Sequence, residues 1–265
     1  MNRTNIQWAE YSFNPIVGCT NNCPYCYGKA VAQRLSCPQC QAYEPHFHPE
    51  RLADLSRGKP GRVFMGSMGD MFDPKVDPAW WNEILLAHAE SQFRHKLMVL
   101  TKRPDLIREK IIWKDRNPIS GTLWIGVTVT CQDDDWRIKD LLQVPAAGHF
   151  VSYEPMLGPA GDRLWLPHKE NCQCAICVYN RNTNRPSQVI DWLIIGGLSG
   201  PWLPKGYWGG PWLSKSSFHN AEATWANQII DQAQAAGVPV FVKTKPVKLP
   251  GVEVIQEWPG GLKGD

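Results

Sequence analysis

The sequence has almost no excess of one charge: 28 lysines and arginines against 25 acidic residues leave +3 over 265 residues. That balance excludes a nucleic-acid partner gathered by net field alone. Long apolar runs are missing too, since no segment approaches the roughly 20 apolar residues of a membrane span, which excludes a helical anchor. The opening residues Met1 to Gln7 lack the apolar run of a signal peptide, so the expected setting is the cytoplasm, with no membrane partner. No internal repeat or low-complexity tract is evident, which argues against a repeat array. What remains is an ordinary globular composition, 43% hydrophobic and ample for a core.

Against these absences stand nine cysteines and thirteen tryptophans. In a reducing compartment, cysteines in tight groups are better read as metal ligands than as disulfides. The groups are Cys19/Cys23/Cys26, Cys37/Cys40 and Cys172/Cys174/Cys177, with Cys131 alone. The tryptophans either pack core and rim or offer stacking surfaces to bases or an adenine.

Short apolar runs recur at residues 63–65, 97–100, 123–127, 150–151, 192–195 and 238–242, as in strands buried on both faces of a parallel sheet. Helical stretches alternate with them. Asp77 and Pro78 read as an N-cap with proline at the first helical position, leading into residues 80–91. Further helices are expected over 27–35, 105–112, 133–142, where Asp133 to Asp135 cap the start, and 221–236, stopped by Gly237. Alternation of this kind predicts an α/β fold, a partial (β/α) barrel of mostly parallel strands. We read residues 1–265 as one such domain with Cys-rich insertions at about 36–60 and 158–187, and residues 199–218 as a lid or substrate loop. Catalytic groups are then expected where strands end: Ser67 and Asp70, Thr101 to Arg103, Thr128 and Thr130, Ser152 and Glu154, Ser199, and Lys243.

The run from Gly18 to Tyr27 places three cysteines at C-x3-C-x2-C spacing with Tyr25 just before the third. A short loop can wrap three thiolates around one face of a four-iron cubane, leaving one iron open to a small molecule. Zinc, or simply reduced thiols, is the competing reading of the same cysteines. This loop resembles the CxxxCxΦC signature of the radical S-adenosylmethionine (SAM) superfamily. The resemblance implies a [4Fe–4S] cluster on Cys19, Cys23 and Cys26, with SAM chelating the open iron. One electron, delivered by a reductant protein such as a flavodoxin or ferredoxin, would cleave SAM to a 5′-deoxyadenosyl radical. The superfamily often carries a Gly-Gly-Glu motif after the second strand. Here that stretch reads Gly66-Ser67-Met68-Gly69-Asp70, so Ser67 or Asp70 is expected to meet the SAM amine. Over residues 4–245 the chain also resembles a phage- and prophage-associated family of uncharacterised three-cysteine proteins. The shared stretches include Trp8-Ala9-Glu10, Asn14-Pro15, Leu100 to Pro104, Trp124 to Thr128, Val151 to Pro155 and Gly196 to Gly200.

Cys37-x2-Cys40 and Cys174-x2-Cys177 form two knuckles that could supply the four thiolates of a closed zinc site, with Cys172 able to replace Cys174. An auxiliary iron–sulfur cluster is the alternative, and His46, His48 and His168 are further candidate ligands or ordinary surface histidines. Glu154 and Lys243 are expected catalytic groups, with Lys102 as an anion receptor. Glu154 is equally readable as half of a salt bridge to Lys102 or Lys243, and Lys102 with Arg103 as a solvated rim pair. Thr128, Ser152, Gly196 and Gly197 complete the expected cofactor contacts. Two functions follow: a radical SAM enzyme acting on a nucleic-acid base or nucleotide, or a zinc-containing, non-enzymatic nucleic-acid-binding module.

Overall fold

The computed structural model describes residues 1–111, 121–161, 190–197, 215–245 and 248–263. Ten strands are present among them: β1 (Asn2–Arg3), β2 (Tyr11–Phe13), β3 (Ile16–Val17), β4 (His46–Phe47), β5 (Arg62–Met65), β6 (Lys96–Thr101), β7 (Leu123–Val129), β8 (Gly148–Tyr153), β9 (Trp192–Ile195) and β10 (Val240–Val242). Eight form one sheet in the order β1-β2-β5-β6-β7-β8-β9-β10, and β3 pairs with β4 apart from it. Every pairing from β2 to β10 is parallel, and only the edge strand β1 runs antiparallel. The fold is thus mixed α/β around a mostly parallel sheet. All six expected strand runs are present. The pattern gives no notice of β1 to β4, each too short for a two-residue period to register.

The helices are α1 (Tyr27–Ala32), α2 (Pro38–Ala42), α3 (Pro78–Glu90), α4 (Ile107–Lys110), α5 (Trp136–Leu141) and α6 (Lys215–Ala235), with short 3-10 turns before α4 and α5. Helix α3 starts as its sequence dictates: Asp77 Oδ1 accepts from the Ala79 N–H at 2.8 Å and Pro78 takes the first position. The helix expected over 27–35 stops at Ala32, and those expected over 105–112 and 133–142 break into a 3-10 turn plus a short α segment. Helix α6 begins at Lys215, well before the expected residue 221.

A strand with both faces covered must sort its side chains two ways, and these do. Val63, Leu97, Val99, Ile125, Val127, Val151, Leu193 and Val240 face one core with Ile84 of α3, Ile138 of α5, and Ala226, Ile229 and Ala233 of α6. The intervening Phe64, Met98, Trp124, Phe150, Trp192 and Phe241 face a second, aromatic core with Trp8 and Leu262. The Trp8 ring lies 4.6 Å from Phe64 on β5 and 6.4 Å from Trp192 on β9. Four strand spacings would separate those two by about 19 Å in a flat sheet, so the sheet is strongly curved around this core. Its two ends are tied by Gln7, whose Oε1 accepts from the Thr244 and Lys245 N–H groups and whose Nε2 reaches Thr244 Oγ1 at 2.9 Å. Among the described residues no ladder closes β10 onto β1 or β2.

His88 on α3 is fully buried, its Nε2 3.1 Å from Thr122 Oγ1, and burial, helped by His95, pushes its pKa down to about 4. The unfolded chain therefore binds a proton between pH 6.5 and 4 that the fold refuses. The fold's advantage is complete above pH 6.5 and is lost as pH falls through that window, roughly 3 kcal/mol in all. Denaturant unfolding at pH 7 and pH 4.5 should show a larger loss for the wild type than for His88→Leu; equal losses would remove this residue as the cause.

Candidate functional site

Along each strand the inward positions shrink and turn polar beyond the aromatic layer. After Phe64 comes Gly66; after Met98, Leu100 and Lys102; after Trp124, Thr128; after Phe150, Ser152 and Glu154; after Trp192, Gly196; after Phe241, Lys243. The space left at this C-terminal edge is a cavity of 370 Å³, in the range that holds a small-molecule ligand. Trp8 and Phe64 form part of its lining, along with Thr128, Ser152, Glu154, Gly197 and Lys243. The opposite side is Cys19, Cys23 and Cys26 with Tyr25 and Tyr27. The three cysteines and the expected strand-end residues Ser67, Asp70 and Lys102 thus share one cavity.

The cysteine loop is held by polar contacts. The Gly18 N–H donates to Met68 O at 3.0 Å, and buried Asp73 accepts from both the N–H and the hydroxyl of Thr20 at 2.6 and 2.7 Å. Each sulfur meets a polar hydrogen donor: Asn21 N–H lies 3.3 Å from Cys19 Sγ, Asn21 Nδ2 3.2 Å from Cys23 Sγ, and Lys29 N–H 3.4 Å from Cys26 Sγ. Donors of this kind suit thiolates that ligate a metal group. Burial and, after it, the Asp70 carboxylate push the Cys19 thiol up to about 12.

Glu154 and Lys243 pair directly through Oε1 and Nζ inside the cavity. A Cβ on Gly196 would lie 2.7 Å from Glu154 Cδ, so glycine there leaves room for the carboxylate. Ser152 is 1% exposed and its Oγ has no hydrogen-bond partner among the described residues, which makes it a donor free to meet a ligand in the cavity. Lys102 lies 5.8 Å from the Tyr25 ring, a second cation on the cavity wall.

Two expected contacts have other duties. Asp70 accepts at Oδ1 from the Phe72 N–H and the Thr101 hydroxyl and at Oδ2 from the Lys102 N–H. The Ser67 hydroxyl exchanges hydrogen bonds with the Asn14 amide. Both therefore brace the turn after β5, although both reach the cavity wall. The motif could not show this, because the partners come from β6 and from residue 14. Tyr27, whose hydroxyl donates to Ser67 O at 2.6 Å, and Tyr43, 3.4 Å from Cys26 Sγ, went unnoticed in the sequence for the same reason.

Cys37 and Cys40 are brought together with His46 and His48: one donor atom from each lies within 4.8 Å of the rest, a group that could hold a metal ion. His46 and His48, open in the sequence to reading as surface residues, complete the set from β4 and the residue after it. The four-cysteine pairing with Cys174 and Cys177 is thus not needed to fill four positions. Cys172, Cys174, Cys177, His168, Ser199 and most of the stretches 158–187 and 199–218 lie outside the described residues.

The fold and cavity define an α/β protein with a cysteine-lined pocket at the C-terminal edge of a parallel sheet. The chain belongs to the family described as Protein of unknown function (DUF5131), whose model matches residues 3–247. It is 25% identical over 131 residues to an uncharacterized protein, MJ0683, of Methanocaldococcus jannaschii; the match covers 49% of this chain and 48% of that one. The chain thus spans about half the length of the curated relative it matches. No solved structure matches. No helix among the described residues is long and apolar enough to cross a membrane.

Replacing Asp70 by asparagine should cost about 1–3 kcal/mol of stability, because an amide NH2 is turned onto donors that need an acceptor. Denaturant unfolding measures it; an unchanged midpoint would return Asp70 to the ligand-binding role expected from its position.

Proposed function

We propose that this chain is a radical SAM enzyme of partial (β/α)-barrel form, acting on a small substrate such as a nucleotide or a nucleic-acid base. The observation that carries the reading is the meeting of the C-x3-C-x2-C loop and the strand-end polar residues at one cavity, since a cluster with an open iron needs its co-substrate within reach. Cys19, Cys23 and Cys26 would hold a [4Fe–4S] cluster, which supplies, with SAM, a one-electron cleavage that releases a 5′-deoxyadenosyl radical.

The chain's own residues do the rest. The aromatic layer under the cavity closes its strand side to water, which strengthens the polar contacts made inside it. Ser152 and Thr128 offer hydroxyls to ribose or substrate. Glu154, held by Lys243, accepts hydrogen bonds from hydroxyl groups or takes a proton from the substrate. Lys102 receives a carboxylate or phosphate. A flavodoxin or ferredoxin would supply the electron, and a zinc ion on Cys37 and Cys40 is the second metal.

Anaerobic reconstitution with iron and sulfide, then SAM and a reductant, tests this. About four irons per chain and release of 5′-deoxyadenosine are expected. Cys23→Ala should lose the iron and keep the second metal. Zinc alone, with no cluster and no SAM cleavage, would leave the nucleic-acid-binding module as the better reading.

A further inference from the structure

We propose that Cys37, Cys40, His46 and His48 form a closed zinc site that holds Tyr43 against Cys26. The donor set stands without any reading of the cavity. His46 Nε2 lies 3.5 Å from Cys37 Sγ and 3.4 Å from Cys40 Sγ, and His48 Nε2 lies 3.3 Å from Cys40 Sγ. Both imidazoles turn the same nitrogen inward, and each has the other nitrogen engaged: His46 Nδ1 with Glu44 O at 2.9 Å and His48 Nδ1 with Glu50 Oε1 at 2.8 Å. Such outer partners fix the tautomer and aim the free lone pair at a metal. Two thiolates and two imidazoles converging at short range suit tetrahedral zinc. Four protein ligands leave no open position, so the ion is structural.

The ligands come in two pairs, and Tyr43 lies between them, three residues after Cys40 and three before His46. A metal joining the pairs closes the loop that contains it. Tyr43 sits there at φ 57°, in the left-handed region, and faces the first cysteine loop with its carbonyl and its hydroxyl. Its carbonyl accepts from the Cys19 N–H at 3.2 Å and its hydroxyl lies 3.4 Å from Cys26 Sγ. Space for that hydroxyl depends on Gly28, where a Cβ would lie 2.5 Å from it. The zinc site is therefore a clip: it sets a hydroxyl that donates to the Cys26 thiolate once that sulfur ligates the cluster. This coupling rests on the radical SAM reading, whereas the zinc assignment does not.

Zinc content and cobalt substitution test the site in the full chain. The wild type is expected to carry zinc, and His46→Ala/His48→Ala to carry one equivalent less, while Cys174→Ser/Cys177→Ser keeps the cobalt spectrum of a two-thiolate site. His46→Cys preserves four ligands and so guards against misfolding; it should retain the metal and strengthen thiolate-to-cobalt charge transfer as two sulfurs become three. Full zinc retention by His46→Ala/His48→Ala, or an unaltered cobalt spectrum in His46→Cys, overturns the assignment. For the coupling, Tyr43→Phe should keep its zinc and shift the midpoint potential of the reconstituted cluster to a more negative value, because a hydrogen bond to a ligating sulfur favours the reduced state. An unshifted potential overturns the coupling. If the wild type forms no cluster, the coupling falls with the proposed function, and the zinc and cobalt results still decide the site.

Discussion

The burial of the parallel sheet on both faces is the constraint from which the cavity follows. Each strand has to supply a helix-facing row and an inward row, and the inward row cannot be uniform. Rings of Phe64, Trp124, Phe150, Trp192 and Phe241 fill the curved interior toward the strand starts, and Trp8 covers them from the N-terminal segment. Two or four residues further along the same rows the side chains become Gly66, Thr128, Ser152 and Gly196. The sheet thus yields a space only where its inward side chains are small. Two partly buried charges there, Glu154 and Lys243, face each other, which limits the cost of taking either one out of water.

One turn organises the mouth of that space. The residues after β5 carry two buried carboxylates with opposite assignments: Asp70 fixes the start of the loop after β6, and Asp73 fixes Thr20 inside the cysteine loop. The same turn meets the chain at Gly18 and Asn14. Lys102, just after β6, and the sulfurs on the loop after β3 are therefore positioned through a common set of hydrogen bonds, although some 80 residues separate them in sequence.

How much of this could be read from the sequence varied with the range of the interaction. The sheet was legible because each buried strand is a local apolar run, and the helix at Pro78 because its cap lies one residue away. The meeting of Cys19, Cys23 and Cys26 with Ser152, Glu154 and Lys243 followed from strand ends sharing one edge. The duties of Asp70 and Ser67 were not legible, since their partners sit on other elements. His46 and His48 were legible as candidate ligands, but not that they, rather than Cys174 and Cys177, meet Cys37 and Cys40. Cysteine spacing points outward to the next C-x2-C pair, whereas the ring orientations that complete the set depend on β4 pairing with β3.

That pairing bears on why the cysteine loop would need a clip. None of residues 19–26 is fully buried, so the loop adds no residue to either core and gains little hydrophobic stabilisation. Hydrogen bonds that it donates to Asp73, Met68 and Tyr43 carry it instead, and bonds in partly exposed settings contribute only about 1 kcal/mol each. A metal ion on Cys37, Cys40, His46 and His48 would fix the segment behind the loop at a strength the loop could not reach by packing. Strand β4, paired with β3, brings that segment back beside Gly18 and Cys19, so a metal held there would steady the sulfur loop through the short stretch of chain around Tyr43.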